Sequence, residues 1–122
     1  MRRRTSLALF VALALVIIAS GAATMGRSAN RSTTRVTITG GEYYFKLSKA
    51  KVPRGAVYVT FVNAGSESHD LKFTGRQPMT GVLGPGVRQT IKLVFSRRGR
   101  YAFLCTVGEH ALMGMTGTLV VR

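Results

Sequence analysis

Tyr101-Ala102-Phe103-Leu104-Cys105-Thr106-Val107-Gly108-Glu109-His110-Ala111-Leu112-Met113-Gly114-Met115 reads as a strand that runs into a loop. Tyr101, Phe103 and Cys105 share one face of an alternating run, the pattern of a half-buried strand. Past Cys105 the alternation stops, and Gly108 and Gly114 punctuate the stretch up to Met115. Thr118 to Val121 returns to β-branched residues, so the loop joins two strands. It carries a thiol, an imidazole and a thioether, Cys105, His110 and Met115, with four residues between successive members.

Upstream the same period of two recurs. Val36 and Ile38 alternate with Thr37 and Thr39. Tyr43, Phe45 and Leu47 alternate with Tyr44 and Lys46. Val57, Val59 and Phe61 alternate with Tyr58 and Thr60, and Ile91, Leu93 and Phe95 with Lys92 and Val94. Gly40-Gly41, Pro53-Arg54-Gly55, Asn63-Ala64-Gly65, Gly84-Pro85-Gly86 and Arg98-Gly99 separate the runs as turns. With His69 to Phe73 there are seven candidate strands, and no segment shows a helical period. Short, regularly punctuated strands with one apolar face predict an all-β, Greek-key β-sandwich of seven to eight strands. A small closed barrel is the competing architecture. Thr74 to Gly86 is the longest irregular stretch, and its Met79, Val82 and Leu83 either cover the core edge or form an apolar surface near the site.

The beginning of the chain obeys other rules. Arg2, Arg3 and Arg4 precede thirteen apolar residues, Leu7 to Ala19, and then the small residues Ser20-Gly21-Ala22-Ala23. This order is that of a secretory signal. The apolar run is short for a membrane-spanning helix, which needs about 20 residues. Residues 1–23 are therefore expected to be a signal peptide, with an N-terminal anchor as the alternative. Residues 24–34 are small, polar and basic, a flexible linker. Residues 35–122 remain for one domain, enough for a single core and too few for two. The implied location is periplasmic or extracytoplasmic.

Export makes a lone cysteine informative, because exported domains tend to pair their cysteines. An odd one is reactive, intermolecular, ligated or simply buried as a small apolar residue. The charge is also distinctive, with 18 basic and 4 acidic residues giving a formal net charge of +14. Such a surface attracts anionic partners. An acidic redox protein and an anionic membrane surface both fit. Nucleic acid does not, since the basic residues are scattered and no binding motif appears. A monomer is expected.

His69 and His110 are the only histidines. Two imidazoles, one thiolate and a weakly held thioether are the ligands of an electron-transfer copper site. His69 lies just after a loop, Ala64 to Ser68, at the start of a strand. If that strand lies beside the Cys105 strand, all four groups meet at one end of the sheets. Zinc favours Cys and His but is seldom bound by Met. A thiol enzyme would need His110 as a base and an oriented third group, and no substrate-pocket signature accompanies them.

His69-Asp70 after Phe61-Val62-Asn63-Ala64-Gly65, followed by Tyr101 to Cys105 and the His110, Met115 loop, resembles the cupredoxins. The resemblance is nearest the small blue copper proteins of the plastocyanin, azurin and sulfocyanin type, and it covers roughly residues 35–122. It implies an eight-stranded sandwich and one type 1 copper ion held by His69, Cys105 and His110, with Met115 axial. Met113 is the alternative axial residue. It further implies that Asp70 and Thr106 link the two ligand loops. The loop departs from the family at Gly108-Glu109, where many relatives have Pro-Gly. A missing proline loosens the loop, and Glu109 places a carboxylate beside His110.

The function expected is single-electron transfer between redox partners, without enzymatic activity, because a four-ligand site leaves no position for substrate. The alternative is a copper chaperone or scavenger using the same soft ligands in looser geometry.

Overall fold

The computed structural model describes residues 26 and 32–122. The signal or anchor, residues 1–23, and most of the linker lie outside the described residues. Eight strands form: β1 (Thr34–Gly41), β2 (Tyr44–Leu47), β3 (Lys51–Val52), β4 (Gly55–Asn63), β5 (Lys72–Phe73), β6 (Arg88–Phe95), β7 (Gly99–Leu104) and β8 (Thr116–Val121). All lie in one compact unit, Arg31–Arg122. One sheet has the order β2-β1-β4-β6 and the other β3-β8-β7-β5. The chain passes between the sheets at β2–β3, β3–β4, β4–β5, β5–β6 and β6–β7, which is Greek-key connectivity. The sandwich is thus the observed architecture, with two separate sheets rather than a closed barrel.

The alternation in the sequence becomes the division between core and surface. In β4, Val57, Val59 and Phe61 face inward, and in β6 Ile91, Leu93 and Phe95 do the same. They meet Phe103, Leu119 and Val121 from the opposite sheet. Phe61, Phe73, Phe95 and Phe103 are all buried. Each contributes about 1.5–3 kcal/mol through lost apolar exposure. Phe73 packs on Phe95 at 5.7 Å and on Phe103 at 5.0 Å, ring centroid to centroid, which ties the two layers together. Gly117 leaves room for the Phe103 ring, because a Cβ there would collide with it.

Two segments differ from the sequence pattern. Lys51–Val52 is a strand too short to show an alternation; it pairs in parallel with β8. The expected strand from His69 to Phe73 is ordered as β5 only at Lys72–Phe73, and His69 itself makes an isolated bridge with Leu83. The irregular stretch divides its roles. Leu83 is buried at that bridge, whereas Val82 is 62% exposed.

Strand direction defines two ends. β1 and β4 run parallel and finish together at Gly40 and Asn63. β7 finishes at Leu104 opposite Thr116, where β8 begins. Met115 reaches the Gly40 position from the other sheet, so these termini share one pole. The start of β1, the end of β6 and the end of β8 form the opposite pole.

Candidate metal centre

The first ligand is set in place by an asparagine. Asn63, wholly buried at the end of β4, accepts the Gly65 N–H on Oδ1 at 2.9 Å. This side-chain turn is a frequent use of Asn. Its Nδ2 donates to the carbonyls of Glu67 and Leu83, each at 2.8 Å. The loop of residues 64–68 is thereby pinned between β4 and Leu83. His69 then pairs with Leu83 through N–H···O bonds of 3.0 and 2.8 Å, and its side chain is buried.

The other three residues come from the β7–β8 connection. The Cys105 N–H donates to the Met115 carbonyl at 3.1 Å, closing the loop at its base. Within it His110 N–H donates to Val107 O at 3.1 Å, and Met115 N–H to His110 O at 3.0 Å. Such tight turns need left-handed backbone, supplied by Gly108 at φ 48° and Gly114 at φ 106°. A proline at position 108 could not adopt this positive φ.

The loops are tied together as expected. The buried Asp70 accepts the Thr106 N–H on Oδ1 at 2.6 Å and the Thr106 hydroxyl on Oδ2. Three donor atoms converge as a result. His69 Nδ1 and His110 Nδ1 are 3.1 Å apart, and Cys105 Sγ lies 3.9 and 3.7 Å from them. All three ligand atoms fall within 4.8 Å of one another. A point equidistant from these atoms lies about 2.1 Å from each, the length of a bond between a first-row metal and imidazole. The donor set and its spacing fit a single type 1 copper ion.

Met115 is buried and Met113 is 57% exposed. A Cβ on Gly40 would sit only 3.0 Å from the Met115 methyl carbon, so glycine makes space for that thioether beside β1. Burial pushes the Cys105 thiol up from its ordinary range, with backbone N–H groups opposing the effect. A metal offsets that penalty by binding the thiolate.

Further residues were not marked by the sequence pattern. Glu42 Oε1 sits 2.9 Å from His69 Nε2, and Glu67 Oε2 sits 3.1 Å from His110 Nε2. The Tyr43 ring packs on His110 with centroids 4.8 Å apart. Its hydroxyl donates to Glu67, at 3.2 and 3.3 Å from the two carboxylate oxygens. The carboxylate on His110 is thus that of Glu67, while the neighbouring Glu109 is exposed. The Glu67 N–H donates to Glu42 at 2.7 Å. That bond, then the His69 contact, hold the Glu42 carboxyl at about 2. The one available signal was scarcity, since Glu42 and Glu67 are two of only four acidic residues.

A cupredoxin-like domain model matches residues 7–121. The chain belongs to the cupredoxin family. A sequence search among curated proteins found no match. Among solved structures, it is similar to reduced auracyanin from the photosynthetic bacterium Roseiflexus castenholzii. That likeness has 24% identity and a TM-score of 0.61, covering 74% of this chain and 98% of the other. Rusticyanin from Thiobacillus ferrooxidans is 21% identical with a TM-score of 0.59, covering 74% and 77%. A purple cupredoxin from Nitrosopumilus maritimus is 21% identical with a TM-score of 0.51, covering 73% and 99%. At these identities the likenesses establish the fold.

Proposed function

We propose that this cupredoxin carries single electrons between redox partners, with one copper ion held by His69, Cys105 and His110 and Met115 as the weak axial ligand. The observation that carries the reading is the Nδ1, Nδ1, Sγ triangle with sides of 3.1, 3.9 and 3.7 Å. When bound, copper supplies a one-electron couple between Cu(I) and Cu(II) that soft sulfur and imidazole ligands serve in both states.

The residues around it favour a carrier over a metal-handling protein. Asp70 locks one ligand loop to the other through Thr106. Asn63 fixes the loop that leads to His69. Groups held this way keep their positions when the metal charge changes, which favours rapid transfer. His110 is the ligand nearest solvent, with 13% of its side chain exposed. Leu112 and Met113 stand exposed on the same loop and give a partner an apolar contact there. With four protein ligands on the metal, the protein acts as a carrier rather than an enzyme.

The protein is exported, periplasmic or extracytoplasmic, with residues 1–23 as a signal or anchor. Among the described residues, no helix is long and apolar enough to cross a membrane. Its net charge of +14 suits a redox partner with an acidic surface, or an anionic membrane.

The test is an absorption spectrum and a voltammogram of the copper-loaded protein. Intense blue or green colour with a reversible one-electron wave is expected. A colourless Cu(I) protein that passes its metal to a chelator or acceptor would assign it to copper handling instead.

A further inference from the structure

Both ligand imidazoles turn Nδ1 toward the metal position and Nε2 toward a carboxylate. Glu42 comes from the turn between β1 and β2, an element that supplies no ligand. It approaches His69 Nε2 at 2.9 Å, and the His69 side chain is wholly buried. Glu67 approaches His110 Nε2 at 3.1 Å, where half of the glutamate side chain is exposed.

Neither carboxylate is loosely placed. Glu42 accepts the backbone N–H of Glu67 at 2.7 Å. It also lies over Gly65, where a Cβ would collide with it. Glu67 accepts the Tyr43 hydroxyl at 3.2 and 3.3 Å. Tyr43 in turn packs against His110. The two contacts therefore form one connected frame, from Glu42 and His69 through the Glu67 backbone to His110 and Tyr43.

A carboxylate that accepts an Nε2–H bond has two effects on a ligand imidazole. It fixes the tautomer, leaving the Nδ1 lone pair free for the metal. It also draws the Nε2 proton partly toward itself, which leaves the ring richer in electrons and makes Nδ1 a stronger donor. Stronger donation and nearby negative charge both favour the more highly charged metal. Reduction adds one electron from the redox partner and lowers the metal charge from Cu(II) to Cu(I); the Nε2 proton stays on the ring. The carboxylates consequently stabilise the oxidised state more than the reduced one.

We propose that Glu42 and Glu67 are positioning residues that hold the two ligand imidazoles by their outer nitrogens and lower the reduction potential of the bound copper. This rests on the copper site proposed above. Glu42 is the stronger of the pair. Its contact is shorter, its imidazole is shielded from water, and its carboxylate is anchored by backbone. Burial weakens screening, so the same charge acts more strongly there.

The test uses the full-length, copper-loaded protein with Glu42→Gln, Glu67→Gln and the double variant. Glutamine keeps the shape and an acceptor oxygen but removes the charge. Reduction potentials are read by voltammetry, and Cu(II) and Cu(I) affinities separately by chelator competition. The potential is expected to rise in both single variants, more in Glu42→Gln, and furthest in the double. Cu(II) affinity should fall about 10–100-fold, with a smaller loss for Cu(I). Equal losses for both oxidation states, and so an unmoved potential, would overturn the inference. Should Glu42→Gln fail to fold, Glu67→Gln and proton NMR of the wild-type Cu(I) protein decide. Hydrogen-bonded Nε2–H signals from both imidazoles are expected, with faster exchange at His110 in Glu67→Gln. Their absence in the wild type would also overturn it. A wild type that takes up no copper would sink the parent reading as well, whereas a blue wild type with unmoved variants sinks this inference alone.

Discussion

The two poles of the sandwich are built from opposite materials. At the metal pole stand both histidines, the cysteine, Asn63 and all four acidic residues of the chain, Glu42, Glu67, Asp70 and Glu109. At the other stand Lys51, Arg54, Arg97, Arg98, Arg100 and Arg122, and among the described residues no Asp or Glu side chain accompanies them. The metal pole is held by directed hydrogen bonds to buried polar groups. The far pole is held by packing, with Phe95 on Tyr101 at 4.7 Å and the Arg76 guanidinium 4.5 Å over the Tyr101 ring. Directed bonds fix geometry, which a metal needs, while packing fixes the fold and tolerates substitution at its edge.

The unequal poles also refine the meaning of the net charge. A net positive charge attracts anions at long range, and among the described residues Lys51, Arg54, Arg97, Arg98, Arg100 and Arg122 place a block of it at the pole away from the metal site. On the metal side Leu112 and Met113 stand exposed, beside the part-exposed carboxylates of Glu42 and Glu67.

The sharpest way to break the contrast is at the thiolate. Cys105→Ser is expected to abolish the colour of the copper protein, while Tyr101→Phe, which removes only the hydroxyl bond to Arg97 O at the far pole, leaves the spectrum unchanged. Absorption spectra of the two variants make the check. Next comes the asparagine. Asn63→Ala removes three hydrogen bonds from a buried position and should cost about 1–3 kcal/mol in a denaturant melt. The melt midpoint should fall, and copper affinity with it.

A subtler change is at the axial position. Met115→Leu should keep the colour and raise the reduction potential, whereas Met113→Leu should do neither. Bleaching by Met115→Leu as complete as that of the cysteine variant would show the axial assignment to be mistaken. The smallest effect is expected at the far pole. Arg76→Met loses the guanidinium over the Phe95 and Tyr101 rings and its bond to Val94 O. A loss of about 0.5–1 kcal/mol in the melt and no change in potential are expected.

Strand patterning was legible because burial of one face forces a period of two, and β1, β4, β6 and β7 each show it over several residues. The candidate ligands were legible because a thiol, two imidazoles and a thioether are rare and distinct types. β3 is not legible in the sequence because two residues carry no period. The strand expected at His69 was overextended because Leu71 and Phe73 alternate in sequence, though only Lys72–Phe73 pairs with β7.

The sequence by itself determined a β-sandwich and the chemical types of the candidate metal ligands, since alternation and residue type are local properties. Tertiary structure alone decided that Met115 is buried while Met113 faces solvent, and that Glu42 and Glu67 meet the outer nitrogens of His69 and His110. Those contacts span 27 residues for Glu42 and His69. No local pattern encodes such a meeting, because it exists only once both sheets have packed and brought the loops of one pole together.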